Sequence, residues 1–226
     1  MGIVKDLTVG QTLKVYEDGT AVEFIVAQHD YEKDLNGKGK TMLMRTNLLP
    51  DNVGWGSKNA DVSWENEPTL RNWLENTYAK RLSEAALKTI VPVTIRYSYG
   101  SNNSGTLKDQ RFFIPTADEF NQFPGGKTFW ERSFSGGREN ATVNANGWDV
   151  YDIWHYSFAC RNAKTGDDPS NSDNKNCWGY IEGVGVKRGK GADPGDPGHV
   201  TTYWYTGYNA TSIAGALVCF CVDENA

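Results

Sequence analysis

Apolar and polar residues alternate from the start of the chain. Leu13 and Val15, then Val22, Phe24 and Val26, take every second position on either side of Glu17-Asp18-Gly19, which predicts a β-hairpin. A glycine- and lysine-rich turn over Asn36 to Lys40 leads into a third predicted strand at residues 41–46. Residues 50–67 show no period, yet Trp55 and Trp64 within them should pack against the body of the domain. The spacing then changes to threes and fours. Leu70, Trp73, Leu74, Thr77 and Tyr78 share one face of a helix opened by Pro68, whose missing N–H is no loss in a first turn. A second helix should follow, capped by Ser83, with Ala85, Ala86, Leu87 and Ile90 on its apolar side. Pro92 ends it and opens a strand, Val93–Tyr99.

Residues 99–105 read as a plain loop and 111–115 as a short strand. That strand runs into Thr116-x-x-Glu119, a capping box that starts a brief helix. From Gly125 to Gly215 the texture is different: Gly, Asn, Asp, Ser, Trp and Tyr dominate, with candidate strands at 151–158, 180–186, 200–205 and 216–222. In the first of these, Trp154, Tyr156 and Phe158 look like the core face, opposite Tyr151, Ile153, His155 and Ser157. Neither a repeat nor a linker interrupts the chain. It reads as a single domain over 1–226, with hairpins and helices in 1–124 and a loop-rich aromatic half in 125–226.

Composition narrows the class. With 226 residues, 38% hydrophobic and 23% charged, the chain can bury a core and is neither disordered nor membranous. No apolar run approaches the ~18 residues of a spanning helix. The first residues, MGIVKDLTVGQ, lack a basic leader followed by an apolar stretch, which suits synthesis in the cytoplasm. A net charge of −5 argues against nucleic acid, and the basic group Lys187, Arg188 and Lys190 sits among glycines, as at the end of a hairpin. Four cysteines are too few for a disulfide scaffold in a chain this long. Cys219 and Cys221 share one strand face and are expected to be buried free thiols. A Cys160–Cys177 bridge would not suit a cytoplasmic origin.

Little in the sequence points to a reaction. His29, His155 and His199 stand at no metal-ligand spacing from one another or from a cysteine. There is no phosphate-cradling glycine loop with its lysine, and no G-x-S-x-G elbow. Asp118 and Glu119 are explained by the capping box. The run from Asp167 and Asp168 through Asp173 to Asn176 is rich in oxygen ligands for calcium. It lacks the central glycine and final glutamate of a helical calcium loop, so a solvated loop is the preferred reading. Asp193 and Asp196 read the same way. No cofactor is therefore expected, calcium being the one candidate.

The aromatic content is what remains. Trp148, Tyr151, Trp154, Tyr156, Trp178, Tyr180, Tyr203, Trp204, Tyr205 and Tyr208 crowd the last third among Asn, Ser, Asp and Gly. Rigid amphipathic rings mixed with small polar groups are the composition of binding loops, and they suit the apolar face and hydroxylated edge of a sugar. The bland alternative is that such rings fill a core. Strand alternation should turn about half of them inward. Trp178, Tyr203, Trp204, Tyr205 and Tyr208, with Asn209, are the candidate ligand-binding residues.

The order of landmarks also resembles a known family. "VEFIVAQHDY", "TMLMRTNLL" and "WENEPTLRNWLENTYAKRLSEAALKTI" are similar to uncharacterised domains of phages and gut bacteria, in which an "LR-x-WLN" segment opens the main helix. "RFFIPTADEF" looks like that family's "vFLLS-x-x-E" element, "DIWHYSFACRNA" falls at its "YWLRS"-like strand, and "GALVCFCV" at its closing "gvRPal" strand. Glu75 stands where asparagine is usual, and Val218-Cys219 replaces the closing Arg-Pro. The resemblance implies an α+β, C-type-lectin-like fold, related to formylglycine-generating enzymes and phage tropism determinants: small twisted antiparallel sheets, two flanking helices and a loop-rich half. In tropism determinants the final third contacts a host receptor. The paired-cysteine copper site of the enzymes has no surrounding motif here beyond Cys219 and Cys221.

The expectation is a non-enzymatic bacteriophage virion component, a tail, fibre or head-decorating protein. Its lectin-like domain would bind a host-surface receptor or glycan. Its partners would be other virion subunits, and a homo-oligomer would gain avidity from repetition. A purely architectural virion protein is the second reading, and a lectin-fold oxidase or glycan hydrolase the third.

Overall fold

The computed structural model describes residues 4–46, 49, 51, 63–99, 103–116, 119, 157–164, 177–182 and 216–224, with the strands at 157–164 and 177–182 given as backbone. A 3₁₀ turn, Val4–Asp6, precedes strands β1 (Thr12–Glu17) and β2 (Thr20–Gln28). Then come α1 (Lys33–Asn36), β3 (Lys40–Arg45), α2 (Thr69–Asn76), a second 3₁₀ turn at Tyr78–Arg81, and α3 (Glu84–Thr89). Strands β4 (Ile90–Val91), β5 (Val93–Tyr99), β6 (Asn103–Gln110), β7 (Ser157–Lys164), β8 (Cys177–Glu182) and β9 (Cys219–Asp223) complete the order. The class is mixed, roughly α+β, with few and short helices.

The expected hairpin is β1 and β2, paired antiparallel from Thr12↔Ile25 to Glu17↔Thr20. Asp18 and Gly19 both take positive φ, 48° and 77°, the conformation a two-residue turn needs to follow the strand twist. β3 pairs with β2, and β9 then pairs with β3 from the far end of the chain, Lys40↔Asp223 to Met44↔Cys219. With β4 on its other side, β9 is central in a five-stranded antiparallel sheet of order β1-β2-β3-β9-β4.

Both faces of this sheet are buried at its centre. On one, Phe24 and Phe220 meet at 5.0 Å, Phe220 and Phe112 at 6.1 Å, and Phe112 and Tyr78 at 5.7 Å, which ties the second 3₁₀ turn to β9. On the other, register sets Met42 opposite Cys221 and Met44 opposite Cys219, all four buried. Cys219 and Cys221 are free thiols, as expected. Leu70 and Leu74 of α2 are buried with Trp73 beside them, and Trp64 is fully enclosed. Ser83 caps α3 by accepting from the Ala86 N–H at 3.2 Å; Ala85, expected on the apolar side, is exposed.

Several elements depart from expectation. The supposed loop at 99–105 contains the start of β6, which pairs with β5 in a second sheet of order β6-β5-β7-β8. Its sequence, NSGTLKDQ, holds one apolar residue, so no alternation announces it; pairing with β5 makes it a strand. Lys33–Asn36 form a single helical turn just before the expected turn, between positive-φ positions at Glu32 and Gly37. Residues 111–115 form a bridge in place of a full strand, Phe113 exchanging backbone bonds with Cys219 at 3.0 and 2.8 Å.

Among the described residues of the aromatic half before 216, strands cover Ser157–Lys164 and Cys177–Glu182, which overlap the expected 151–158 and 180–186 at 157–158 and 180–182 and extend past them to Lys164 and back to Cys177. The register pairs Cys177 with Lys164 and Tyr180 with Ala159, so Cys160 and Cys177 are not cross-strand partners. The expected strand at 200–205 and the alternation over 151–156 lie outside the described residues. β7 meets β5 in parallel at Tyr99↔Ala163.

Candidate functional site

Trp178 lies in β8, the outermost strand of the second sheet, with Ala163 of β7 as its register partner. Tyr203, Trp204, Tyr205, Tyr208 and Asn209 lie outside the described residues, within the stretch that leaves β8 after Glu182 and returns at Ala216 towards β9. That stretch therefore joins an edge strand of one sheet to a central strand of the other. The acidic runs at 167–176 and 193–196, the basic group at 187–190, and His155 and His199 also fall outside the described residues.

Several chemistry-bearing side chains among the described residues are bound to one another. Arg45 Nε donates to both oxygens of Glu17, at 3.2 and 3.3 Å, and Tyr78 Oη donates to Glu17 Oε1 at 2.6 Å. Glu17 and Arg45 are almost wholly buried, a placement that charged groups tolerate only when paired and hydrogen-bonded. Burial and the Glu17 carboxylate push the Tyr78 hydroxyl far up, so it stays protonated and keeps donating. This cluster ties β1, β3 and the second 3₁₀ turn together. Beside it, Arg81 grips Asp51 with two bonds at 2.5 and 2.6 Å and lies over the Trp73 ring at 5.4 Å. The Arg81 hydrogen bond holds the Asp51 carboxyl below its ordinary value despite partial burial.

A second group surrounds α2. Arg71 donates from Nη2 to the Glu65 carbonyl at 2.8 Å, and burial lowers its guanidinium from the usual value. Tyr97 Oη donates to the Glu65 carboxylate. Glu75, the departure from the resembling pattern, accepts from Arg111 Nε at 2.6 Å, and Arg111 in turn lies over Phe112. The capping box closes as expected: Glu119 Oε2 accepts from Thr116 N–H at 2.8 Å and Thr116 Oγ1 from Glu119 N–H at 3.0 Å. The other Glu119 oxygen accepts from Tyr31 Oη at 2.8 Å, a second role that sequence does not display. His29 sits in a structural niche, Nε2 donating to the Leu7 carbonyl at 2.8 Å and Nδ1 lying 2.7 Å from Thr41 Oγ1.

Sequence reading missed one arrangement. The Asn36 side chain meets the backbone of Thr94 on β5, Oδ1 accepting from N–H at 2.7 Å and Nδ2 donating to the carbonyl at 2.8 Å. Thr94 stands at a register shift between Val93 and Ile95, where β6 supplies no partner. Arg96 reinforces the tie by bonding Glu32 at 2.8 Å and also Asp34. Asn36–Gly37 reads in sequence only as a turn signal.

Among the described residues no group of three His, Cys, Asp or Glu could hold a metal. Nor is any helix among them long and apolar enough to cross a membrane.

Residues 38–168 match the family described as Domain of unknown function (DUF6273), more than half of the chain, and the chain belongs to that family. The matched range begins just after α1, at residue 38, and runs past β7. It leaves out the first hairpin, β8 and β9, and all six candidate ligand-binding residues. No curated protein and no solved structure matches the chain.

Proposed function

We propose that this chain is a non-catalytic binding component of a bacteriophage particle, a tail, fibre or head-decorating protein. Its C-type-lectin-like domain engages a ligand on the host surface, and the ring-and-amide composition suits a glycan. The observation that carries this reading is where the aromatic stretch is anchored. It leaves the edge strand β8 and returns to the central strand β9, so Tyr203, Trp204, Tyr205, Tyr208 and Asn209 belong to a long insertion held at both ends by paired strands. Binding residues concentrate on connections fixed by a rigid scaffold. Four of the described carboxylates support the same view, since Glu17, Asp51, Glu75 and Glu119 are each engaged by a side chain distant in sequence. Other virion subunits are the expected partners, and a homo-oligomer on a particle multiplies weak sites.

The test is binding of the purified chain to host cells and to a glycan array. Loss of binding in Trp204→Ala or Tyr208→Ala, with an unchanged circular dichroism spectrum, supports the proposal. Variants that bind as the parent does while particles fail to assemble would replace it with the architectural reading.

A further inference from the structure

Asn36 is followed by Gly37. In such a pair the backbone N–H of the glycine can attack the preceding side-chain amide with little hindrance, because glycine carries no Cβ. Nothing lies within 4 Å of where a Cβ on Gly37 would stand. Yet the folded chain restrains both reacting groups. The amide is fastened by its two bonds to Thr94 and by a third from Nδ2 to the Tyr31 carbonyl at 3.3 Å. The nucleophile, the Gly37 N–H, is engaged by the Lys33 carbonyl at 2.9 Å. These restraints are only as firm as α1, a four-residue turn whose first residue follows a left-handed Glu32 without a side-chain cap. So short a helix has little stability of its own. What holds it to β5 is Asn36 on Thr94 and Arg96 on Glu32 and Asp34.

We propose that Asn36–Gly37 is a spontaneous deamidation site guarded by the clamp between α1 and β5, and that its modification releases the clamp irreversibly. When α1 lifts, the deprotonated Gly37 nitrogen bonds to Asn36 Cγ and the side-chain nitrogen leaves as ammonia, giving a cyclic imide. Water opens that ring at either carbonyl, to aspartate or to isoaspartate, for a net exchange of NH for O. In both products an acceptor stands where Nδ2 donated to two carbonyl oxygens. Two attractive contacts become oxygen–oxygen contacts, so the clamp loses its donor to the Thr94 and Tyr31 carbonyls while a carboxylate oxygen can still accept from the Thr94 N–H. The isoaspartate form also lengthens the backbone by one methylene directly before Gly37. The tie between the first sheet's α1 and the second sheet is thereby opened in one direction only.

The experiment follows the full chain at mildly alkaline pH, folded and in parallel in urea, with aspartate and isoaspartate at position 36 measured by peptide mapping. Mapping also separates the chain's other Asn-Gly pair, Asn146–Gly147. The unfolded chain should deamidate at Asn36 at least about tenfold faster than the folded one, as expected when reaction waits on local opening. Arg96→Ala leaves Asn36 and its hydrogen-bond partners in place but loosens α1, and should speed the folded reaction. Asn36→Asp, which loses the Nδ2 donor that fastens α1 to β5, should lower the hydrogen-exchange protection of the Gly37 amide on the Lys33 carbonyl. A folded rate equal to that in urea, no reaction in urea, no acceleration in Arg96→Ala, or a Gly37 amide protected as in the parent in Asn36→Asp would each overturn the proposal.

Discussion

Tyr97 of β5 stands opposite Gly105 of β6, and its ring fills the space a side chain at 105 would need. A Cβ on Gly105 would lie 2.5 Å from Tyr97 Cζ, well inside contact distance. The ring thus covers the glycine across the strand pair and carries its hydroxyl to the Glu65 carboxylate. Gly105→Ala should destabilise the protein by about 1–3 kcal/mol, the range for overpacking. Combining it with Tyr97→Ala should cost less than the two single changes added together. Urea titration of the three variants measures this, and strict additivity would show that the residues do not compete for that space.

The buried trio of Glu17, Arg45 and Tyr78 makes an unequal set of predictions. Removing the Arg45 charge with Arg45→Met leaves Glu17 buried without its ion partner and should cost about 3–5 kcal/mol. Tyr78→Phe removes a donor to a charged acceptor and should cost about 1.5–3 kcal/mol. Equilibrium unfolding that ranks Tyr78→Phe above Arg45→Met would reverse the roles given to these groups.

Acid should weaken the grip of Arg81 on Asp51. The folded carboxyl lies below its ordinary value, so its stabilising contribution is complete above the unfolded value of about 4 and is lost as pH falls through the lower folded value. Asp51→Asn should therefore flatten part of the fall in Tm below about pH 4 at low salt and leave neutral behaviour nearly unchanged in slope. An acid limb identical to that of the parent would remove Asp51 as its source.

Glu75 and Arg111 are both about two-fifths exposed, and their pair should be weak. Glu75→Asn should cost less than about 1 kcal/mol in a thermal melt. A larger loss would mean that Arg111 is positioned over Phe112 by this pair.

How far the sequence reveals the fold depends on the range of the interactions involved. The β1–β2 hairpin, β3, the α2 face and the Ser83 and Thr116 caps are legible because period and capping act over a few residues. β6 is not, since its strand character comes from β5 and from Tyr97 over Gly105. The place of β9 between β3 and β4 is equally hidden, because it joins residues near 42 to residues near 221. The Asn36 clamp is invisible for the same reason, its partner Thr94 being fixed by a register shift in another sheet. Of the candidate ligand-binding residues, Trp178 is placed on β8, and the composition of the others is the part that sequence does show.

The most direct test of the proposed binding role compares host-cell binding of the parent chain with that of Trp204→Ala/Tyr208→Ala, with Tm measured on the same preparations. If the proposed role holds, removing both rings should abolish saturable binding and leave Tm within about 2 °C, since the proposal assigns them to the ligand and not to the core. Undiminished binding by the double variant, at unchanged Tm, would contradict the assignment of the ligand surface to this stretch.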